Sequence, residues 1–134
     1  MIHAVWGTKN RFPFLKTHIK QRVIDHIREN ALTKKIYVDT CDGDVDHMHC
    51  LFEVGPSMSV ATALQLMKGE ASKWINDHNI TDLKFEWSDD YYARSVGESE
   101  LQRVRDYINN QEEHHKKITF QEEFEKLIRR LRKG

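Results

Sequence analysis

Cysteine is nearly absent: Cys41 and Cys50 are the only two, too few for a disulfide framework. Cys50 alternates with apolar neighbours and reads as a small buried hydrophobe. Proline is as scarce, with Pro13 and Pro56 each falling between predicted elements, so no proline-rich linker divides the chain. Repeats and low-complexity stretches are missing, and one domain spanning 1–134 is expected, long enough to bury a core without staples. No apolar run nears the ~20 residues of a membrane span, and the N-terminus has no signal-peptide anatomy. A soluble, cytoplasmic protein without a membrane partner is expected. Net charge is missing too, because 21 basic side chains balance 21 acidic ones.

That balance hides a pattern. Residues 9–35 hold eight Lys/Arg against two acids, residues 39–113 hold six against sixteen, and residues 116–134 hold seven against three. Phosphate binding follows local potential rather than the sum. An acidic centre between basic margins suits a metal site beside a phosphate track, and it equally suits solvated helix faces.

Periodicity gives the order β-α-β-β-α-β-α-α. Residues 2–7 alternate as a strand, and 17–32 carry Ile19, Val23, Ile24 and Ile27 at helical spacing. Residues 35–41 and 47–54 form a hairpin, with Asp42-Gly43-Asp44 as turn chemistry. Residues 59–79 form a second amphipathic helix, and 85–96 an aromatic-rich strand region broken by Gly97. Ser99 with Gln102, and Thr119 with Glu122, match the capping box. They predict a third helix to about His115 and a basic C-terminal helix within 116–134. The pattern is α+β, an antiparallel sheet with helices packed on it. Trp6, Trp74 and Trp87 are assigned to packing.

Two segments carry chemistry. In Asp46-His47-Met48-His49, strand geometry puts both imidazoles on one face and sends Met48, Cys50 and Phe52 to the other. Such a pair is either a half-site for a divalent cation with open positions or two surface histidines. In Tyr107-Ile108-Asn109-Asn110-Gln111, the tyrosine and glutamine stack at i,i+4. Tyr107 borders the stripe of Leu101, Val104 and Ile108, as a core-margin tyrosine or a reactive one. Gln111, polar in that stripe's path, invites a partner. His114 and His115 fit either extra ligands or a solvated pair at a helix C-terminus. A tyrosine with a pKa of ~10 is ionised in only about one molecule in a thousand at neutral pH, so a nucleophilic role needs ~4 kcal/mol of help. A cation on the histidines would give that help and polarise a phosphate.

The chain resembles the HUH single-tyrosine transposases of small bacterial insertion sequences and their REP-associated relatives. The likeness lies in H-A-V-W-G-T-K-N-R at 3–11, D-H-M-H at 46–49, L-M-K-G at 66–69, F-E-W-S at 85–88, Y-I-N-N-Q at 107–111, H-H at 114–115 and F-Q-E-E at 120–123. The resemblance implies a ferredoxin-like HUH nuclease architecture with a C-terminal helical extension. It implies that His47, His49 and Gln111 bind Mg²⁺ or Mn²⁺ and that Tyr107 is the nucleophile, joining the 5′ side of a cleaved single strand. It further implies DNA contacts by Lys9, Arg11 and Lys68, recognition of hairpin ends, and a homodimer in which Tyr107 serves its own or the partner's histidines.

The chain departs from the family pattern where Asp89-Asp90, not Gly, precedes Tyr91, and carboxylates there repel phosphate. Met1 directly before the first strand suggests a shortened edge strand. The competing reading is a domesticated module that holds hairpin DNA or RNA without cutting. A histidine-dependent nucleotide hydrolase fits poorly, because Leu51 stands where a third alternating histidine would fall.

Overall fold

The computed structural model describes residues 1–111, 113 and 118–133. Its strands are β1 (Ile2–Gly7), β2 (Ile36–Asp44), β3 (His47–Val54) and β4 (Tyr92–Ser95). Its helices are α1 (Thr17–Thr33), α2 (Val60–Asp77), α3 (Leu101–Asn109) and α4 (Phe120–Lys133). The sheet runs β2-β3-β1-β4 with every neighbouring pair antiparallel. This is the expected α+β architecture with helices on an antiparallel sheet. β1 lies inside the sheet rather than at its edge. Among the described residues, no helix is long and apolar enough to cross a membrane.

Strand alternation divides the side chains between two layers. Ala4, Trp6, Met48, Cys50 and Phe52 face α1 and α2, where Val23, Ile24, Ile27, Leu64, Met67 and Ile75 complete the main core. The opposite face is covered as well. Val5 and Tyr92 pack against Phe120 and Leu127 of α4, and Leu51 packs against Val104 and Ile108 of α3. The histidines of β3 therefore point into a helix-covered layer, not into solvent.

Local chemistry sets the element ends. Ser59 caps α2 by accepting from the Thr62 amide at 3.1 Å, and Asn79 follows that helix in the left-handed region at φ 49°. The Thr119–Glu122 capping box forms, with the Glu122 amide donating to Thr119 Oγ1 at 3.2 Å. Ser99 does not cap α3. Glu98–Glu100 form a short 3-10 turn, and Glu100 precedes the helix with no side-chain cap.

Two further expectations shift. Residues 85–96 yield only the four-residue β4, plus one bridge between Trp87 and Thr8. The hairpin turns at Val45-Asp46, with Asp44 opposite His47 and Gly43 opposite Met48. Gly43 is needed for close approach rather than for the turn: a Cβ there would stand 2.1 Å from the His47 carbonyl oxygen. His114 and His115 lie outside the described residues.

Candidate active site

β3 brings His47 and His49 together in a buried layer, each 0% exposed. His47 Nδ1 lies 2.9 Å from Asp46 Oδ1, in the turn just before it, which aims Nε2 inward. His47 Nε2 stands 3.0 Å from Gln111 Oε1 and 3.5 Å from Glu123 Oε1, and His49 Nε2 stands 3.1 Å from the same Glu123 oxygen. His47, His49 and Glu123 form a cluster able to hold a metal ion. Two donors each ~2.1 Å from a common ion are ~3.0 Å apart at right angles and ~3.4 Å apart at the tetrahedral angle. The observed separations match those edges. Imidazole, amide and carboxylate donors without a thiolate suit a hard or borderline divalent ion.

Tyr107 is half-buried on α3, its ring centroid 5.6 Å from that of His49. Its hydroxyl donates to Glu123 Oε2, so one carboxylate faces the histidines with one oxygen and the tyrosine with the other. Gln111, just past the end of α3, donates from Nε2 to the Tyr107 carbonyl at 3.1 Å. Burial first, then the Glu123 hydrogen bond and charge, raises the Tyr107 pKa well above that of a free phenol. All of these groups belong to one chain.

Two site residues escaped the sequence reading. Glu123 comes from α4, and its signal was only the second acid of F-Q-E-E. His3, on β1, places Nε2 3.0 Å from His49 Nδ1, and burial first, then the charges of His49 and Arg94, lowers its pKa to about 3. Alternation put His3 on the same face as Val5, but only the β1–β3 register, with Val5 opposite His49, brings it to the site.

Phe120 closes the site from above. Its ring stacks on His47 with centroids 4.2 Å apart and planes 3° apart, and the Arg11 guanidinium lies 5.9 Å from its centroid. Arg11 and Asn10 both adopt the left-handed region, at φ 54° and 56°. Thr8 anchors this loop, its amide bonded to the Asp46 carbonyl at 2.9 Å and its hydroxyl to the Phe12 carbonyl at 2.8 Å.

The three basic positions lie beside the site rather than in it. Lys9 and Lys68 line a groove of about 860 Å³ with Asn10, Trp87, Ser88, Asp90 and Tyr91. Arg11 lines a smaller pocket of about 220 Å³ that shares Asn10, Ser88 and Asp90 with it and ends on Phe120 and Phe124. Lys9 pairs with Glu86 at 3.0 Å, and Lys68 donates to the Ser88 carbonyl at 2.8 Å. Burial lowers the Lys68 pKa, against the opposing pull of Asp89 and Asp90.

Known proteins resemble this chain in sequence and fold. The family model described as "Transposase IS200 like" matches residues 1–111. Transposases for insertion sequence element IS200 from Salmonella typhimurium (strain LT2) and Salmonella typhi are each 28% identical over 120 residues, covering 85% of this chain and 78% of theirs. A Deinococcus radiodurans R1 protein assigned as a transposase superposes with TM-score 0.65 at 21% identity, covering 82% of this chain and 88% of that one. A REP-associated tyrosine transposase bound to a REP hairpin superposes with TM-score 0.66 at 14% identity, covering 85% of this chain and 67% of that one. The family match takes in the whole sheet, both histidines, Tyr107 and Gln111, and this chain belongs to the IS200-like transposases.

Proposed function

We propose that the chain is a metal-dependent transposase of single-stranded DNA in which Tyr107 is the nucleophile and His47, His49, Gln111 and Glu123 hold Mg²⁺ or Mn²⁺. One observation carries this reading: the Tyr107 hydroxyl and both histidine Nε2 atoms converge on one buried carboxylate, Glu123, and Gln111 Oε1 meets the same His47 nitrogen. Tyr107 Oη attacks a phosphodiester phosphorus, its proton passing to Glu123 Oε2. The new O–P bond forms as the P–O3′ bond breaks, and the departing O3′ takes up the proton received by Glu123, leaving a 5′-phosphotyrosine and a 3′-hydroxyl. A later 3′-hydroxyl attacks the same phosphorus, restores the tyrosine and rejoins strands without ATP. A divalent ion on these donors supplies Lewis-acid polarisation of the phosphate.

The groove holding Lys9 and Lys68, continuous with the Arg11 pocket, offers a path for a single strand to Phe120 and the site behind it. Stacking and shape suit single strands and hairpins as ligands. The sheet's free edges, β2 and β4, are where two copies would merge sheets in a homodimer. Tyr107 lies beside its own chain's His49, which supports a site assembled within one subunit.

The non-cleaving hairpin binder gains support from one observation: α4 leaves His47, His49, Gln111 and Glu123 at 0–1% exposure. One assay separates the two. Labelled single-stranded hairpin DNA from the chain's own locus is incubated with Mn²⁺ or Mg²⁺. The transposase gives a protease-sensitive protein–DNA adduct that vanishes with Tyr107→Phe or EDTA. An adduct that persists in Tyr107→Phe sinks the nucleophile assignment, and hairpin binding with no adduct favours the binder.

A further inference from the structure

An imidazole that gives Nε2 to a metal must keep its remaining proton on Nδ1, and a fixed acceptor for that proton sets both tautomer and ring orientation. His47 has such an acceptor in Asp46 Oδ1, 2.9 Å from its Nδ1. At the same place on His49 stands another imidazole, with His3 Nε2 3.0 Å from His49 Nδ1. The two rings lie nearly coplanar and end to end, with centroids 5.2 Å apart and planes 22° apart, as an in-plane N–H···N bond requires. His3 also meets the Tyr107 ring edge-on at 6.3 Å and the Tyr92 ring at 5.9 Å. It is 4% exposed, so the protein walls in the geometry rather than leaving it to solvent.

We infer that His3 is a positioning residue for the metal site: its Nε2 accepts the Nδ1 proton of His49 and so presents His49 Nε2 to the ion. This rests on the metal reading above. The two ligands are thereby supported differently, His47 by a carboxylate within its own hairpin and His49 by a neutral ring from the neighbouring strand. β1 contributes no ligand, but it sets the orientation of one.

Two substitutions separate hydrogen bonding from packing. His3→Phe keeps an aromatic ring against His49, Tyr92 and Tyr107 but removes the acceptor. His3→Gln can place an amide oxygen near the position of Nε2. Mn²⁺ affinity, measured by titration calorimetry, is expected to fall about 10–100-fold in His3→Phe and to stay within about threefold of wild type in His3→Gln. In a His49→Ala background, His3→Phe is expected to cost nothing further, as a double-mutant cycle requires when both act through one ligand. Unchanged affinity in His3→Phe, equal losses in both single variants, or a full loss in the His49→Ala background overturns the inference.

A variant-free measurement stands beside these. In ¹⁵N-labelled wild-type protein loaded with Mg²⁺, the His49 ring is expected to carry its proton on Nδ1 and to show scalar coupling through the hydrogen bond to His3 Nε2. A proton on His49 Nε2 overturns the inference even if His3→Phe fails to fold. The two readings fail separately. Wild-type Mn²⁺ binding that His47→Ala does not weaken overturns the metal reading and this one with it, whereas His47-dependent binding indifferent to His3 overturns this one alone.

Discussion

Gly43→Ala is expected to be among the most damaging single-methyl changes in the chain. Gly43 lies in β2 opposite Met48, one rung from the Asp44–His47 pair that closes the hairpin. Its φ is not in the left-handed region, so alanine meets no backbone penalty and the cost is purely steric. The added Cβ would lie 2.1 Å from the His47 carbonyl oxygen and 3.0 Å from Met48 Cα. Both are backbone atoms, so no side chain can rotate away, and β2 must part from β3 by more than ~1 Å to restore ordinary contact. Overpacking of this kind costs roughly 1–3 kcal/mol, and each ladder hydrogen bond stretched at the hairpin end adds about 1 kcal/mol. The Gly43 carbonyl also accepts from the buried Lys20 Nζ at 3.0 Å, a contact that moves with it. The total is about 3–5 kcal/mol, a large share of the ~5–15 kcal/mol of a typical domain. At about 3–5 °C per kcal/mol for this size, thermal unfolding followed by circular dichroism should drop by roughly 10–20 °C. Gly55→Ala, where a Cβ meets nothing within 4 Å, is the control. A Gly43→Ala melting point within about 2 °C of wild type would refute the steric reasoning.

Gly69→Ala should do the reverse, because this exposed glycine within α2 has nothing within 4 Å of a Cβ. Urea unfolding should show a gain of about 0.4–1 kcal/mol, and a loss would contradict the open space seen there. Arg105 grips Asp39 through two hydrogen bonds of 2.8 and 3.0 Å, and that contact holds the Asp39 carboxyl below the usual carboxylate range. The pair's stability is therefore present above the unfolded pKa of ~3.9 and lost as pH falls through the lower folded value. Asp39→Asn should lower stability modestly at neutral pH, where solvent screens the pair, and flatten the acid limb of stability against pH, and an unchanged acid limb would count against the link. Phe120→Ala removes the ring stacked on His47. Diethyl pyrocarbonate with mass mapping should then acylate His47 in the native variant but not in native wild type, and equal protection in both would show that Phe120 is not the cover.

What the sequence made legible follows the range of each interaction. The period of two in D-H-M-H placed both histidines on one face, and the spacing of four placed Gln111 over Tyr107, because local geometry fixes both relations. Whether that face was wet depended on α4 folding back over the sheet, which no local pattern states. Glu123 looked like a charge on a solvated helix face until Phe120 and Leu127 docked beside it. His3 looked like one polar residue in an alternating strand until the β1–β3 register brought it against His49. The Asp42-Gly43-Asp44 segment was read as a turn because glycine there suggests one. Its glycine instead serves strand contact, a tertiary demand that mimics a local signal. The aromatic run at 85–96 overstated its strand because its pairing with Gly7–Lys9 amounts to a single bridge, Thr8 with Trp87, before β4 begins.

The alternation of β3 ties the candidate site to assembly. Its even-numbered side chains, Met48, Cys50 and Phe52, are gripped by the main core, while the odd-numbered His47 and His49 face Glu123 in the cluster that could hold a metal ion. A slip of one residue would drive both imidazoles into that core and eject Met48 into the site. No nearly correct arrangement of the histidine pair is available at small cost, because the misaligned strand could not bury its apolar half. Quality control of the fold thus doubles as proofreading of the proposed ligands: a molecule that has passed the first has its two imidazoles on the face of the candidate site. Inactive yet well-folded variants should accordingly cluster on α3, α4 and the loop at residues 8–11, the parts that complete the site without anchoring the sheet.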